Sequence, residues 1–291
     1  MDTQLAQRLL NLIERVDPWL PEPPTPVDWR RDVAALWQRH ALGGQLVPVP
    51  PRDALGLDDL VGVERQKGEL VANTRAFLQG LPANHALLWG SRGSGKSSMV
   101  RALLNTLSDE GLRLIQVDRH DLSGLPILVE QLRYQPERFV VYCDDLSFEG
   151  SDDAYKALKS VLDGTLTGPP DNVLIYATSN RRHLMPEHMS DNLESRLTAD
   201  GEELHHGDAV EEKISLSDRF GLWLAFHPFN RDTYLETCRH WVSRLGQAGD
   251  WTDEADTAAV RFATLRGGRS GRCAYQFAVD WVGRHRLAEQ P

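Results

Sequence analysis

Short apolar runs alternate with stretches of helical spacing along the chain from residue 57 onward. The runs that predict strands lie at residues 86–89, 112–117, 139–143, 173–177 and 222–226. The stretches that predict helices lie within 64–78 and at 96–108, 126–134 and 153–162. Apolar strands that alternate with helices are typical of a parallel sheet with helices on both faces. We therefore predict an α/β fold with three αβα layers.

The strand pattern stops after residue 230, and only helical patterns follow. Three helices are predicted at residues 231–246, 253–266 and 271–286, with glycine at their junctions. We therefore divide this part of the chain into an αβα core at 57–229 and a small helical domain at 230–291.

Proline marks the segment that precedes the core, since eight of the 16 prolines fall between Pro18 and Pro51. Amphipathic spacing predicts a short helix at 3–16, and a second helix is predicted at 29–40. Extended linkers are predicted at 18–26 and 43–53, because proline cannot continue a helix. We expect residues 1–56 to form an appendage, which either packs on the core as a strap or docks a partner.

The composition restricts the class of protein. Of the 291 residues, 41% are hydrophobic and 25% charged, as in a globular protein that can bury a core. The net charge of -10 disfavours a broad nucleic-acid-binding face. The pattern of apolar residues predicts neither a signal peptide nor a membrane span. Cys143, Cys238 and Cys273 are widely spaced, so we expect reduced, buried thiols and a cytoplasmic protein.

The strongest motif is a phosphate-binding loop between a predicted strand and a predicted helix. Residues 90–97 read Gly-Ser-Arg-Gly-Ser-Gly-Lys-Ser and fit the pattern GxxxxGK[ST] throughout. The glycines let backbone N–H groups converge on phosphate oxygens, and the following helix adds its positive end. Lys96 can reach the outer phosphates, and the Ser97 hydroxyl can bind Mg²⁺. The residues expected to bind nucleotide here are Ser91, Arg92, Gly93, Ser94, Gly95, Lys96, Ser97 and Ser98.

The strand predicted at 139–143 ends in two acids. A Mg²⁺ that is held mainly by phosphates and water needs a carboxylate at a strand tip, and Asp144 suits that role. The next acid, Asp145, is one methylene shorter than the glutamate that commonly polarises the attacking water. Either Asp145 acts from a shifted geometry, or Glu149 reaches in from the following turn, or hydrolysis is slow or absent. In a further interpretation, both acids only cap the next helix.

Two polar residues are candidates for sensing the γ-phosphate. Asn180 follows the strand predicted at 173–177, where its amide can orient the attacking water; the alternative is an asparagine in a loop turn. Arg219 precedes the last predicted strand, at the edge of the domain. There it can reach the γ-phosphate of a neighbouring copy and neutralise charge in the transition state. The alternative for Arg219 is a solvated surface arginine.

Three arginines cluster near the C-terminus, at Arg266, Arg269 and Arg272. An arginine from a helical lid that closes over the nucleotide would couple the phosphate state to the angle between domains. Arg272 opens the last predicted helix and is our choice, with Arg269 as the alternative. Contact with nucleic acid is a competing use of the cluster, which the net charge does not favour.

Together these motifs resemble the AAA+ superfamily over residues 57–286. Residues 57–62, Leu-Asp-Asp-Leu-Val-Gly, look like the segment that cups the adenine there, so Val61 and Gly62 are expected to bind nucleotide. The loop at 90–97 matches the Walker A motif, VVYCDD matches Walker B with Asp for the usual Glu, and Asn180 matches sensor 1. LSDRFG is similar to the arginine-finger segment of the Holliday-junction branch-migration motor, and GRCAYQF is similar to its sensor 2 helix.

The segments CDDLSFEG, YATSNRRHL and LSDRFGLWLAFHPF look closer still to the bacterial predicted AAA+ ATPases of domain-of-unknown-function family 815. The resemblance implies a P-loop NTPase core with a parallel five-stranded sheet, a helical lid, and ATP and Mg²⁺ as cofactors. It also implies assembly of copies into a ring, filament or dimer with shared sites.

We therefore expect ATP hydrolysis that is coupled to core–lid movement and acts on a protein target that the sequence does not identify. The alternative is a nucleotide-dependent switch or scaffold with little turnover. The polar, acidic stretch at 185–213 is expected to be a solvated insertion, with a metal site at its histidines as the alternative.

Overall fold

The computed structural model describes residues 7–8, 26–40, 43–50, 55–148, 153–164, 168, 170–180, 216–246 and 251–288. Its strands are β1 (Ala34–His40), β2 (Gly43–Pro48), β3 (Ala86–Gly90), β4 (Leu112–Val117), β5 (Arg138–Cys143), β6 (Val173–Ser179) and β7 (Leu222–Phe226). Its α-helices are α1 (Glu64–Leu78), α2 (Lys96–Leu107), α3 (Leu125–Leu132), α4 (Asp153–Asp163), α5 (Arg231–Leu245), α6 (Asp253–Leu265) and α7 (Gly271–Ala288). Short 3-10 helices occupy Leu57–Asp59 and Arg119–Gly124.

The strands form one sheet in the order β2-β1-β4-β5-β6-β3-β7. The five strands from β4 to β7 in this order run parallel, and they are the five that the sequence predicts. β6 lies between β3, which leads into the phosphate-binding loop, and β5, which leads to the two acids. Because parallel strands end at the same edge of a sheet, this order brings the loop, the acids and Asn180 together.

Helices cover both faces of the sheet. On one face, α1 and α2 supply buried side chains such as Phe77 and Met99. On the other face, α3 and α4 supply buried side chains such as Leu128 and Leu158. In each helix the apolar residues recur every three or four positions, so that one side of the helix faces the sheet. The predicted three-layer αβα core is confirmed.

The last three helices bury a core of their own. Tyr234 and Cys238 from α5, Ala259 from α6, and Cys273 and Phe277 from α7 pack together. These helices begin and end within two residues of their predicted bounds. The cysteines of the chain are free and buried, as expected. Among the helices in the described ranges, none combines the length and the apolar character needed to cross a bilayer.

Two strands replace a helix and a linker that the sequence predicts before the core. The helix predicted at 29–40 is wrong, because β1 occupies this segment and pairs in parallel with β4. The linker predicted from residue 43 contains β2, which pairs antiparallel with β1. Ala35 and Trp37 are buried whereas the residues between and after them are not, which is the period of two of a strand. Trp37 lies against Gly44, where a Cβ atom would come within 2.1 Å of the indole ring.

The sheet therefore has seven strands instead of the five expected, and residues 34–48 of the predicted appendage belong to it. The helix predicted at 3–16 lies outside the described residues except for 7–8, and so does most of the linker at 18–26. The insertion predicted at 185–213 and its histidines also lie outside the described residues.

Candidate functional site

The phosphate-binding loop connects β3 to α2, and its glycines adopt conformations that other residues rarely do. Gly90 has a φ of 129°, and a Cβ atom there would come within 2.0 Å of the carbonyl oxygen of Phe226. Gly95 has a φ of 103° and directly precedes α2. Only glycine allows this path without strain. The loop therefore delivers the chain to the N-terminus of α2, whose free N–H groups and positive end favour a phosphate.

The ammonium group of Lys96 lies inside the loop. Its Nζ atom donates hydrogen bonds to the carbonyl oxygens of Gly90 and Ser91, each at 2.8 Å, and to Oδ1 of Asn180 at 3.1 Å. Burial lowers the pKa of Lys96, although the two acids at the end of β5 oppose this effect. A phosphate in the loop would offer this lysine stronger acceptors than backbone carbonyl groups.

Ser97, Asp144 and Thr178 form a cluster of oxygen atoms beside the loop. Oδ1 of Asp144 accepts a hydrogen bond from the Ser97 hydroxyl at 2.7 Å and another from the Thr178 hydroxyl at 2.5 Å. Burial alone would raise the pKa of the Asp144 carboxyl, but the hydroxyl donors around it hold that pKa below its usual value. Asp144 is therefore ionised at neutral pH. The Tyr142 hydroxyl is buried nearby, and its burial together with the Asp144 carboxylate raises the pKa of Tyr142.

The donors in this cluster fit Mg²⁺. A hydroxyl and an ionised carboxylate are hard oxygen ligands, and Mg²⁺ commonly takes one or two of these from the protein beside phosphates and water. Ser97 Oγ and Asp144 Oδ1 lie 2.7 Å apart, so both can contact one ion. In the described residues, no group of three or more His, Cys, Asp or Glu side chains could hold a metal ion by itself. A Mg²⁺ at Ser97 and Asp144 would therefore need phosphate and water as its other ligands.

Asp145 turns the chain sharply at the end of β5. It is the non-glycine residue with a positive φ, 51°, in the described ranges, a conformation that aspartate tolerates better than most residues. Its N–H group donates to the Thr178 hydroxyl at 2.8 Å, and its carboxylate accepts from the Asn180 amide. The Asn180 side chain thus links Lys96 to Asp145, because its amide oxygen accepts from Lys96 and its amide nitrogen donates to Asp145. Glu149, the alternative base, lies outside the described residues.

The first turn of α7 lies against the loop. The N–H group of Arg272 donates to the carbonyl oxygen of Gly93 at 3.1 Å. A Cβ atom on Gly93 would come within 3.0 Å of Ser270 Oγ, so a glycine here permits the close approach. Arg269 instead accepts a hydrogen bond through its carbonyl oxygen from the N–H group of Phe229. The helical domain therefore contacts the loop through the backbone of Arg272, and a phosphate-sensing role for its exposed side chain stays a prediction.

Arg219 lies at the opposite end of the sheet from the loop. It precedes β7, whose first residue, Leu222, pairs with Ala86 at the start of β3. The loop follows the other end of β3, one five-residue strand away, which is about 17 Å. The guanidinium group forms an ion pair with Asp163 at the end of α4, which raises the pKa of Arg219. The Arg219 side chain is only 23% exposed, so it is not an ordinary solvated arginine.

The comparison with family models matches residues 30–285 to the family described as "Protein of unknown function (DUF815)". The chain belongs to the DUF815 family. The match starts at residue 30, before β1 begins at Ala34, so the two added strands are part of the family's domain. Among curated proteins, none matches the sequence.

Solved structures show what fold this DUF815 protein has. Orc1 from Aeropyrum pernix, solved in complex with DNA, matches 78% of this chain and 61% of its own, with 17% identity and a TM-score of 0.54. A variant of RuvB from Thermotoga maritima matches 77% and 62%, with 18% identity and a TM-score of 0.49. The chain spans about three fifths of the length of either protein. At such identities the likeness shows the fold alone, and only the Orc1 match, with its TM-score above 0.5, counts toward it; that match confirms the predicted α/β fold.

The other residues expected at the nucleotide lie around the loop of the DUF815 chain. The Ser94 hydroxyl donates to the carbonyl oxygen of Ser91 at 2.7 Å, while Ser98 lies in the first turn of α2. The Arg92 side chain is exposed. Val61 and Gly62 lie in the turn before α1, and a Cβ atom on Gly62 would come within 2.2 Å of Thr233 from α5. This turn therefore lies between the core and the helical domain.

Thr178 is a site residue that the sequence does not single out. Its hydroxyl donates to Asp144 and accepts from the N–H group of Asp145, so it orients both acids. The local sequence signal for Thr178 is its polar side chain near the end of a mostly apolar strand. Its role becomes evident only when β6 is placed beside β5.

Proposed function

We propose that the chain binds Mg-ATP at the phosphate-binding loop and hydrolyses it. The observation that carries this proposal is the cluster of Ser97, Asp144 and Thr178 beside the ammonium group of Lys96. Ser97 and Asp144 would hold Mg²⁺, which supplies positive charge to the β- and γ-phosphates when bound. Lys96 would exchange its carbonyl acceptors for phosphate oxygens.

Asp145 and Asn180 are the pair that we assign to the attacking water. This assignment is supported by the Asn180 amide, which hydrogen-bonds both the Asp145 carboxylate and Lys96, the residue that we propose binds phosphate. Asn180 would orient the water, and the Asp145 carboxylate would accept its proton as the water attacks the γ-phosphorus; the bond from that phosphorus to the bridging oxygen breaks, and ADP leaves with that oxygen.

We assign Arg219 to the site of a second copy of the chain. Arg219 and the loop lie at opposite ends of the strands, which favours action on a neighbour's nucleotide over action on its own. Two or more copies would then form a ring or dimer with shared sites, in which Arg219 neutralises charge on the γ-phosphate. In a single chain the Arg219 guanidinium group pairs with Asp163. Assembly would replace Asp163 with the γ-phosphate of the neighbouring copy's nucleotide.

Nucleotide state would reach the helical domain through the loop. The hydrogen bond from Arg272 to Gly93 ties the start of α7 to the loop backbone, so a change in the loop moves the helix with it. We propose that this core–lid movement acts on a protein target. The negative net charge does not favour nucleic acid as the target, and contact with it stays the competing use of the C-terminal arginines.

The test is steady-state phosphate release from ATP over a range of protein concentrations. Specific activity should rise with concentration, because assembly completes each site. Arg219→Ala should bind ATP nearly as wild type does and lose up to ~10³-fold in turnover. Mixing Arg219→Ala with Lys96→Ala should restore part of the activity, since some interfaces then combine an intact loop with an intact arginine. Flat specific activity together with no rescue at any ratio would refute the shared site.

A nucleotide-dependent switch with little turnover is the second candidate. It is favoured by the short side chain at Asp145, whose carboxylate already accepts the Asn180 amide. Wild-type protein that binds ATP but releases no phosphate at any concentration would decide for the switch.

A further inference from the structure

Asp59 is a buried carboxylate in the core that is paired with the helical domain. It ends the 3-10 turn before α1, and its side chain is only 1% exposed. One of its oxygens, Oδ2, accepts the N–H group of Gly56 at 2.7 Å. The other, Oδ1, lies 3.0 Å from Nε2 of His240 and 2.9 Å from a terminal nitrogen of Arg244. Both partners belong to α5, so the contact joins the two parts of the protein.

The contact depends on a single face of α5, because both partners of Asp59 lie on it. His240 and Arg244 are four residues apart and therefore lie on the same face of α5. If α5 moved away from the core, Asp59 would lose His240 and Arg244 together and would keep the N–H group of Gly56 as its partner from the core. Separating these groups costs free energy, because a buried carboxylate and its donors lose hydrogen bonds that they make to each other. The contact thus favours one position of α5 over others.

That position closes one flank of the phosphate-binding loop. Directly after Asp59, Leu60 lies 3.8 Å from where a Cβ atom of Gly95 would be, at the start of α2. Two residues further on, Gly62 approaches Thr233 of α5. Residues 60–63 are therefore enclosed by the loop on one side and α5 on the other. When the phosphates of a nucleotide bind in the loop, its nucleoside must extend away from α2. Residues 60–63 and α5 offer that nucleoside a wall made by both domains.

We propose that Asp59 is a positioning residue for nucleotide binding. Through His240 and Arg244 it holds α5 against residues 60–63, and so it preforms the wall that receives the nucleoside rather than the phosphates. The inference rests on the proposed binding of ATP and adds the group that sets how firmly the nucleoside is held. It does not depend on turnover, on the identity of the water-activating acid or on assembly.

The test compares two diphosphates, ADP and pyrophosphate, by calorimetric titration of the full chain in the presence of Mg²⁺. Asp59→Asn keeps the shape and the acceptor for Gly56 but removes the charge. We expect the Kd of ADP to rise about tenfold, in the usual range for coupling between two sites. The Kd of pyrophosphate should change about twofold or less, as for independent sites. Asp58→Asn is the matched control, because this neighbouring acid is exposed and should alter neither value.

Variants of α5 test the same contact from the other side. The Arg244 side chain is 47% exposed, so Arg244→Gln should fold even if Asp59→Asn does not. It should weaken ADP selectively, whereas Arg244→Lys should retain most of the affinity because it keeps the charge. Without nucleotide, amide hydrogen exchange in α5 should be faster in Asp59→Asn than in wild type, and unchanged in Asp58→Asn.

The outcomes separate this inference from the proposed function. If wild type binds neither ADP nor pyrophosphate, the proposed function fails and the inference fails with it. If wild type binds both, and Asp59→Asn and Arg244→Gln weaken both equally or neither, the nucleotide site stands and the positioning role is refuted. Selective loss of ADP binding in the variants supports it.

Discussion

Acidification should destabilise the fold through a single buried histidine at the start of β3. His85 precedes Ala86, and its ring accepts the N–H group of Ile175 from β6 through Nδ1 at 3.0 Å. That nitrogen can accept only while it is unprotonated. The His85 carbonyl oxygen also accepts the N–H group of Leu222 at 3.1 Å, so this residue joins three neighbouring strands. Burial lowers the pKa of His85 from 6.5 to about 4.

The magnitude follows from these two values. Above pH 6.5 the ring is neutral in both the folded and the unfolded chain, and His85 imposes no penalty. Between pH 6.5 and about 4 the unfolded chain binds the proton more readily, so the free energy of unfolding falls as pH falls. The full difference corresponds to roughly 3 kcal/mol, of which about 2 kcal/mol is lost by pH 5.

The assay is urea unfolding at about pH 7.5 and about pH 5, for wild type and for His85→Asn. The asparagine keeps an acceptor near the N–H group of Ile175 but does not titrate. Other histidines and acids also respond to pH, but they are common to both proteins and cancel in the comparison. Wild type should lose about 2 kcal/mol more than the variant between the two conditions. Equal losses would show that His85 is protonated in the fold at little cost, and the reasoning from burial would be refuted.

Three further predictions concern the loop and the acids. Gly90→Ala should lower the free energy of unfolding by at least ~2 kcal/mol in thermal or urea melts, because its Cβ would strike a backbone carbonyl. Gly111→Ala is the control, because Gly111 has a φ of 100° but no atom lies within 4 Å of where its Cβ atom would be. An equal loss of stability in both variants would show that the strain of a positive φ causes it and that the clash with the carbonyl group does not contribute. Asp145→Asn should retain Mg-ATP binding and lower phosphate release by ~10²-fold or more, whereas normal release would transfer the role to Glu149. Thr178→Val should weaken Mg²⁺-dependent ATP binding about tenfold in titrations with and without Mg²⁺, since both acids lose a partner; unchanged binding would make that hydroxyl dispensable.

The parallel strands and the loop could be predicted because their signals are local. Each core strand is a short apolar run bounded by polar turns, and the loop motif requires a strand before it and a helix after it. β1 and β2 could not be predicted in this way. Residues 34–40 contain polar residues at several positions, and their alternation becomes evident only when Trp37 packs on Gly44 across the hairpin.

The candidate site shows the same division. Lys96, Ser97 and Asp144 follow from motifs, and the structure brings them together. Thr178 and Asp59 owe their importance to partners 34 and 181 residues away in the sequence. No local pattern carries such pairings, because they depend on the strand order and on how the helical domain meets the core.

The β1–β2 hairpin also decides where this chain can be cut. The motifs start near residue 57, and a fragment that begins there would look complete by its nucleotide-binding residues. It would lack β1, however, and β4 would become an edge strand with a row of open N–H and carbonyl groups along apolar residues. Such edges recruit other strands and promote aggregation. When β1 and β2 are present, the edge on this side of the sheet is β2. This strand ends at Pro48, which has no N–H group to donate to an added strand. Recombinant fragments should therefore begin before residue 34.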